Sequence, residues 1–349
     1  MNILIVKLSA IGDVIHALPS LTALRKLYPD AHITWVIEGA AADLIIGHPD
    51  LDRVLVSGRK AWLEDLRWGK IWQASHSLRM FVRQLRDRHY DIVIDFHGLF
   101  KSAVIVALSG GERKIGYGSI QELSGLFYNE RIPEDMYKHA VDRYLDFIRY
   151  LNGNAELPDP VQFRIPVDSA NRRRVKALLT EHGLDSNQPF VAVNPLALWE
   201  TKLWSEEKFA QLSDRIIHEL GIPVVLTGAR SEDTGTILRK MRHVPADLGA
   251  KTSLRDLAAL YERASVLVTT DSGPMHIAAA MGTPVIALFG PTDPRRTGPY
   301  GEGHMVIRKD LACSPCFKKE CPTRECLEAI RVEEVFAAVK ESLSTGRQS

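Results

Sequence analysis

Apolar residues come in short unbroken runs along this chain, each followed by a turn and then by a stretch where they recur every third or fourth position. The first run, Ile3-Leu4-Ile5-Val6-Lys7-Leu8, predicts a strand, and Ser9-Ala10-Ile11-Gly12-Asp13 a turn. Val14, Leu18, Leu21, Leu24 and Leu27 then line one face of a helix, which Pro29-Asp30 stops. Further strands are predicted at His32 to Ile37 and Asp91 to Phe96, without strict alternation, as befits strands covered on both faces. Strand, helix and strand in this order is βαβ organisation, so the expected fold class is α/β with parallel sheets.

Gly153, Pro158, Pro160 and Pro166 mark a break between Asn152 and Pro166, after which the same grammar restarts. Phe190 to Asn194, Ile222 to Gly228, Ser265 to Val268 and Pro284 to Gly290 read as parallel strands, separated by helical stretches that include Lys208 to Leu220 and Leu254 to Arg263. Two Rossmann-like doubly wound domains are expected, 1–165 and 166–330, facing a cleft with ligands beyond the carboxyl ends of both sheets. A last helix, Val332 to Leu343 within 331–349, is free to cross back onto the first domain. A length of 349 residues with 45% apolar and 25% charged positions suits two soluble domains.

The net charge of +1 excludes a globally basic nucleic-acid binder. Met1 to Leu8 is too short an apolar run for a signal sequence, and no run is long enough to span a bilayer. The expectation is a cytoplasmic protein that touches the membrane from its inner side. Between Arg59 and Arg88 lie eight Lys or Arg residues (Arg59, Lys60, Arg67, Lys70, Arg79, Arg83, Arg86, Arg88) against three acids, with Trp62, Trp68 and Trp72 interleaved. Such a stretch can stack on nucleic acid, settle on anionic lipid, or be a solvated helix with its aromatics in the core. The preferred reading is an anionic, membrane-embedded acceptor.

All four cysteines fall in one motif, Cys313-x2-Cys316-x4-Cys321-x4-Cys326. Zinc or an iron–sulfur cluster is one reading, although only the first pair has knuckle spacing. Reduced thiols folding a C-terminal loop are preferred, with no catalytic role in either case.

The chemistry concentrates where strands end. Thr269-Thr270-Asp271-Ser272-Gly273-Pro274-Met275-His276 carries a strand through a turn into a small-residue helix. The first N–H groups of that helix lack intrahelical partners and lie at its positive end, so Ser272 and Gly273 can receive phosphate oxygens. Gly273 lets a ligand approach, Pro274 suits a first turn, and His276 is placed for a ligand contact. The alternative is an ordinary capped turn.

Asp13 is a general base or an N-cap, with Gly12 clearing space beside it and Lys7 able to bind an anionic substrate. Lys202 lies just outside a helix capped by Ser205 and could reach a diphosphate; otherwise it is a solvated lysine. Glu232 follows Thr227-Gly228, where an acid can accept hydrogen bonds from ribose. Neither G-x-G-x-x-G nor a P-loop occurs, against a standard dehydrogenase or NTPase. Asp50-Leu51-Asp52 reads as a surface turn, so no metal and no cofactor are expected.

Together these residues resemble the lipopolysaccharide heptosyltransferases, the ADP-heptose glycosyltransferases of glycosyltransferase family 9. The resemblance covers nearly the whole chain and is anchored in Ile5 to His16, Lys202-Leu203-Trp204, Asp271 to His276, and Phe289-Gly290-Pro291-Thr292-Asp293-Pro294. Asp95 to Ser102, Phe127-Tyr128-Asn129 and His139 to Arg143 look more like heptosyltransferase I, which adds the first heptose, than heptosyltransferase II.

The resemblance implies a GT-B arrangement, inversion, an ADP-heptose donor, and the first Kdo of Kdo-lipid A as acceptor. It implies Asp13 as base and Lys202 on the diphosphate. Asp271, Ser272, Gly273 and His276 would line the donor site, with Gly12 and Gly228 beside it, Glu232 on the ribose and Thr252 near the nucleobase. Lys7, Arg59, Lys60 and Arg143 match acceptor-side positions. Where relatives often carry glycine or hydroxyl residues the loop reads Asn194-Pro195-Leu196-Ala197-Leu198, so residues 196 to 198 are expected to offer phosphate backbone rather than side-chain contacts. Domain closure would exclude water from the donor.

Three other readings stand beside it: a family member with another acceptor or adding the second heptose, a nucleotide-sugar epimerase on the same scaffold, and a silent nucleotide-binding module. The basic stretch favours transfer over epimerisation, and Asp13 with Lys202 favours catalysis over silence.

Overall fold

The computed structural model describes residues 1–118, 121–157, 161–185 and 187–345. Pro158 and Pro160 of the expected break lie outside them. The chain forms two compact units, Met1–Pro166 and Val167–Ser349.

In the first unit, six parallel strands form one sheet: β1 (Asn2–Val6), β2 (His32–Glu38), β3 (Arg53–Ser57), β4 (Ile92–Asp95), β5 (Arg113–Tyr117) and β6 (Glu130–Ile132). Their order is β3-β2-β1-β4-β5-β6. Ile3, Leu4, Ile5 and Val6 are fully buried, because β1 lies mid-sheet with helices on both faces. Each such side chain stabilises the fold by roughly 1.5–3 kcal/mol. The helices are α1 (Ile11–Leu27), α2 (Gly39–Ala42), α3 (Arg59–Arg67), α4 (Ile71–Leu85), α5 (Phe100–Ser109) and α6 (Ala140–Leu151). α1 packs on α6 and buries Val14, Leu18, Leu21 and Leu24, as its spacing predicts.

Asp50-Leu51-Asp52 is not a free surface turn. Asp50 is buried and accepts the Thr22 hydroxyl at 2.9 Å, and Asp52 accepts the Ile33 N–H at 2.8 Å and Arg25 at 2.6 Å. The two carboxylates tie the loop before β3 to α1 and β2.

The second unit repeats the plan with β7 (Val191–Asn194), β8 (Val224–Leu226), β9 (Ala246–Asp247), β10 (Val266–Thr270), β11 (Val285–Phe289) and β12 (Met305–Arg308), ordered β12-β11-β10-β7-β8-β9. Read from its own first strand this is the same sequence of neighbours as in the first unit, the order of a Rossmann sheet. Its helices are α7 (Ser169–Glu181), α8 (Glu206–Leu220), α9 (Ser231–Leu238), α10 (Leu254–Arg263), α11 (Gly273–Ala280), α12 (Pro294–Thr297), α13 (Glu325–Glu328) and α14 (Val332–Thr345). Asp168 caps α7 through the N–H groups of Ala170 and Asn171, and Ser253 caps α10 through that of Asp256.

Two expectations change. β10 runs on to Thr270, so Thr269 and Thr270 belong to the strand and the turn shrinks to Asp271-Ser272. The last helix, free by sequence to cross onto the first domain, buries Val335, Phe336 and Val339 in the second unit's own core, beside α8, β10 and β11.

Candidate functional site

In a sheet of this order the chain leaves two central neighbours in opposite directions, which opens a crevice beyond their carboxyl ends. Those neighbours are β1 and β4 in the first unit, and β7 and β10 in the second. Lys7, Gly12 and Asp13 follow β1, Lys202 follows β7 and Asp271 to His276 follow β10, whereas the other predicted residues lie on neighbouring elements.

In the first unit Lys7 follows β1 and is 2% exposed. Its ammonium donates to the Tyr144 hydroxyl at 2.7 Å and the Phe96 carbonyl at 3.2 Å, and stands 3.5 Å from Asp13 Oδ2. Burial pulls the Lys7 pKa below its ordinary value, and the carboxylates of Asp13 and Asp95 work against that pull. Asp13 lies in the first turn of α1 with its side chain 43% exposed, so the carboxylate has a solvent side and a lysine side. Its contact with the Ala10 N–H is long, at 3.4 Å, which makes it a weak cap. Gly12, expected among donor-binding residues, is next to it on α1.

Asp95, at the end of β4, was not singled out by sequence. It is fully buried, accepting the His97 and Gly98 N–H groups at 2.8 and 3.1 Å and the Tyr128 hydroxyl at 2.7 Å. Burial raises its pKa, while these donors oppose the rise. Gly116 makes room for Tyr128, since a Cβ there would stand 2.3 Å from the ring.

The cations expected on the acceptor side, Arg59, Lys60 and Arg143, are anchored rather than loose. Arg59 makes two bonds to the buried Glu38, at 2.8 and 3.0 Å, and the more exposed Lys60 stands 3.8 Å from the same carboxylate. Arg143 pairs with Glu134 at 3.0 Å, and its carbonyl accepts the Tyr117 hydroxyl. The structure adds Lys101, whose ammonium is 3.3 Å from Ser9 Oγ, and His97. Burial, then the charges of Lys7 and Lys101, hold the His97 pKa down to about 3, so the ring is neutral. His97 and Lys101 fall in the Asp95–Ser102 segment that carries the resemblance but were given no role of their own there, and Glu38 gave no signal beyond its position at a strand end.

In the second unit Lys202 ends a short 3-10 turn, Glu200–Lys202, and its ammonium is 2.6 Å from Asp271 Oδ2. The same oxygen accepts the Thr292 hydroxyl at 2.6 Å. Trp199 lies under the ammonium, 4.6 Å from ring centre to Nζ. Asp271 is thus a buried brace for Lys202. Ser272 is the N-cap of α11 with no side-chain capping bond, Pro274 is in the first turn, and His276 is buried in the next. The helix start therefore offers backbone N–H groups to an anion. Thr270 Oγ1 donates to the Leu196 carbonyl at 2.7 Å, which fixes the Asn194–Leu198 loop beside it.

Gly228 follows β8 at a position where a Cβ would stand 3.1 Å from Asp233 Cβ and 3.3 Å from the Arg230 carbonyl. Glu232 is exposed in the first turn of α9, and Thr252 is half-buried just before α10. Both lie past the carboxyl ends of their strands, on the same sheet edge as Lys202 and Asp271.

Among the described residues, one trio of His, Cys, Asp or Glu ligand atoms lies within 4.8 Å of one another: His89, Asp91 and Glu112. It sits at the amino edge of the first sheet, where Asp91 accepts the Asn2 N–H and His89 contacts Glu112. The four cysteines form no such group. Their segment is tied down instead through backbone bonds from Cys316 and Phe317 to the Pro291 carbonyl, and Cys326 packs against Gly290.

Two Rossmann-ordered units, one carrying a half-exposed carboxylate beside a buried lysine and the other a braced lysine beside a helix start that offers backbone N–H groups, define a two-domain α/β protein with polar groups gathered at the carboxyl ends of its strands. Residues 78–327 match the family model of glycosyltransferase family 9 (heptosyltransferase), and the chain belongs to that family. It is 31% identical to lipopolysaccharide heptosyltransferase 1 of Pseudomonas aeruginosa, over 93% of this chain and 89% of the relative. The structure of the Escherichia coli heptosyltransferase WaaC with ADP superposes with a TM-score of 0.76 at 27% identity, covering 98% of this chain and all of that one. A family 9 glycosyl transferase from Veillonella parvula gives 0.85 at 25% identity, over 99% and 97% of the two chains.

Proposed function

We propose that the protein is an inverting heptosyltransferase that moves heptose from ADP-L-glycero-β-D-manno-heptose to the first Kdo of Kdo-lipid A in lipopolysaccharide inner-core synthesis. The observation that carries this reading is the pairing of the half-exposed Asp13 carboxylate with the buried Lys7 at the first unit's switch point. Relatives support the substrates: they include lipopolysaccharide heptosyltransferase 1, and WaaC was solved with ADP and with ADP-2-deoxy-2-fluoro heptose.

In this reading Asp13 takes the proton of the acceptor hydroxyl as its oxygen attacks the anomeric carbon, and ADP leaves from the opposite face. Negative charge grows on the departing diphosphate. Lys202, held by Asp271, and the N–H groups of Ser272 and Gly273 meet that charge, so they stabilise the transition state more than the bound donor. His276 lies behind them, Gly228 and Gly12 give the donor room, Glu232 accepts from the ribose hydroxyls, and Thr252 adjoins the nucleobase. Lys7, Arg59, Lys60 and Arg143 face the anionic acceptor. Lys202 and the helix start take the role a divalent ion plays elsewhere, which makes the reaction metal-independent. The acceptor is met at the inner face of the cytoplasmic membrane by peripheral contact; no helix among the described residues is long and apolar enough to cross a bilayer.

The test is incubation of purified protein with ADP-heptose and Kdo-lipid A in the presence of a chelator, following ADP release and acceptor mass together. A gain of one heptose per ADP is expected. No gain on Kdo-lipid A, with gain on an acceptor that already carries one heptose, would transfer the reading to second-heptose addition.

A further inference from the structure

α3 buries none of its residues, and α4 buries only Ala74, Phe81 and Leu85. The two form a helical hairpin, stapled to the first unit's core by Trp62 against Phe81 at 5.3 Å between ring centres. Its turn is Trp68-Gly69-Lys70, with Gly69 at φ 71° reversing the chain. Around that turn Trp68 is 75% exposed, Ile71 67% and Trp72 79%, and Leu63 and Leu66 are about half exposed. The chain's other four tryptophans are buried or half-buried. Such a cluster of large apolar side chains marks a surface that is covered in use.

The charge around it says what covers it. Arg67 and Lys70 flank the exposed tryptophans, and Arg79 and Arg83 follow on α4; with Glu64 and Asp65 one turn back on α3 the hairpin still carries a net positive charge. Protein interfaces deplete lysine at their centres, whereas the boundary of an anionic bilayer favours tryptophan and cations together. The other end of α3 supplies a reason for the placement. Arg59 and Lys60, held by Glu38, are at its start, about 13 Å from the turn at 1.5 Å per residue. A lipid-anchored acceptor still seated in its leaflet would have its sugars within that reach.

We propose that the tip of the α3–α4 hairpin, Trp68 to Trp72, inserts into the interfacial layer of an anionic bilayer and sets the first unit's acceptor residues just above the headgroups. This rests on the reading of a lipid-anchored acceptor, but it is tested without turnover. The full chain is mixed with vesicles of phosphatidylethanolamine and phosphatidylglycerol, and with phosphatidylcholine vesicles as control. Binding is read by co-sedimentation, and depth by quenching of tryptophan emission with brominated lipid.

The expected result is binding to the anionic vesicles with quenching, and a fall in partition of roughly tenfold or more when Trp68→Ser, Ile71→Ser and Trp72→Ser are combined. The same triple variant should keep wild-type turnover on a deacylated, water-soluble acceptor, which shows that it is folded. Equal vesicle binding by the triple variant, no binding by the wild type, or equal binding to phosphatidylcholine would overturn the proposal. So would tip-dependent self-association without vesicle binding, since the covering partner would then be a second copy. Failed transfer in both proteins would count against the proposed reaction alone, because vesicle binding is read independently.

Discussion

The ammonium of Lys7 stands 3.5 Å from the carboxylate of Asp13 and 2.7 Å from the hydroxyl of Tyr144, in a place where the lysine itself is almost out of reach of water. A buried cation needs a counter-charge, which Asp13 supplies, and the proposed role of Asp13 as base needs a cation nearby to keep it ionised, which Lys7 supplies. Replacing Asp13 by Asn should therefore lower kcat by about 100- to 10,000-fold, while ADP affinity in equilibrium binding stays within about twofold of wild type, a difference too small to signal a lost contact. Wild-type turnover would remove Asp13 from the chemistry.

Lys202 and Asp271 act as one unit. The 2.6 Å contact, shared with the Thr292 hydroxyl, fixes where the lysine points. Lys202→Ala should weaken ADP binding roughly tenfold or more. Asp271→Asn should weaken it too, by releasing the lysine, and the double variant should be little worse than the first. Additive losses in calorimetric titration would mean that Asp271 contacts the donor on its own account.

Arg59 and Lys60, proposed to face the acceptor, should separate by stability. Arg59→Ala takes away both guanidinium hydrogen bonds to the buried Glu38 carboxylate and leaves it only the more distant ammonium groups of Lys60 and Lys101, which should cost about 2–4 kcal/mol in urea unfolding. Lys60→Ala removes an exposed side chain and should cost under about 0.5 kcal/mol. Lys60→Ala is therefore the clean variant for function: the acceptor KM should rise with ADP affinity unchanged, and a fall in ADP affinity would assign the patch to the donor.

His97 gives the fold an acid sensitivity. Its pKa is about 3 in the folded chain and near 6.5 when unfolded, so between these values the unfolded state holds the extra proton. Its contribution is complete above pH 6.5 and is lost as pH falls towards 3. The slope is at most about 1.4 kcal/mol per pH unit, reduced by whatever water the ring still meets. His97→Gln should flatten the decline in unfolding free energy between pH 6.5 and 5; an unchanged slope would place the sensitivity elsewhere.

Local sequence determined much of this protein. A buried central strand must be an apolar run, and a helix packed on it must repeat at three and four, so β1 with α1, β7, β8, β10 and β11 were legible from pattern alone. So was the placement of Asp13, Lys202 and the start of α11 just beyond strand ends, because a strand's end and a helix start both have short-range signatures. β3, β5 and β9 were not. The apolar Val54-Leu55-Val56 of β3 was taken only as the segment after a turn, Arg113-Lys114-Ile115-Gly116-Tyr117 opens on two charged residues, and β9 spans only Ala246–Asp247.

Tertiary structure alone decided which distant residues meet. Lys7 and Tyr144 are 137 positions apart, and Lys202 reaches Asp271 only because the parallel sheet sets the carboxyl ends of β7 and β10 side by side. Likewise nothing in the spacing of Trp62, Trp68 and Trp72 told which would be covered: packing set the first, half-buried, against Phe81 and left the others to solvent. Periodicity is written within one element, whereas burial and charge pairing depend on neighbours that the chain brings back from far away.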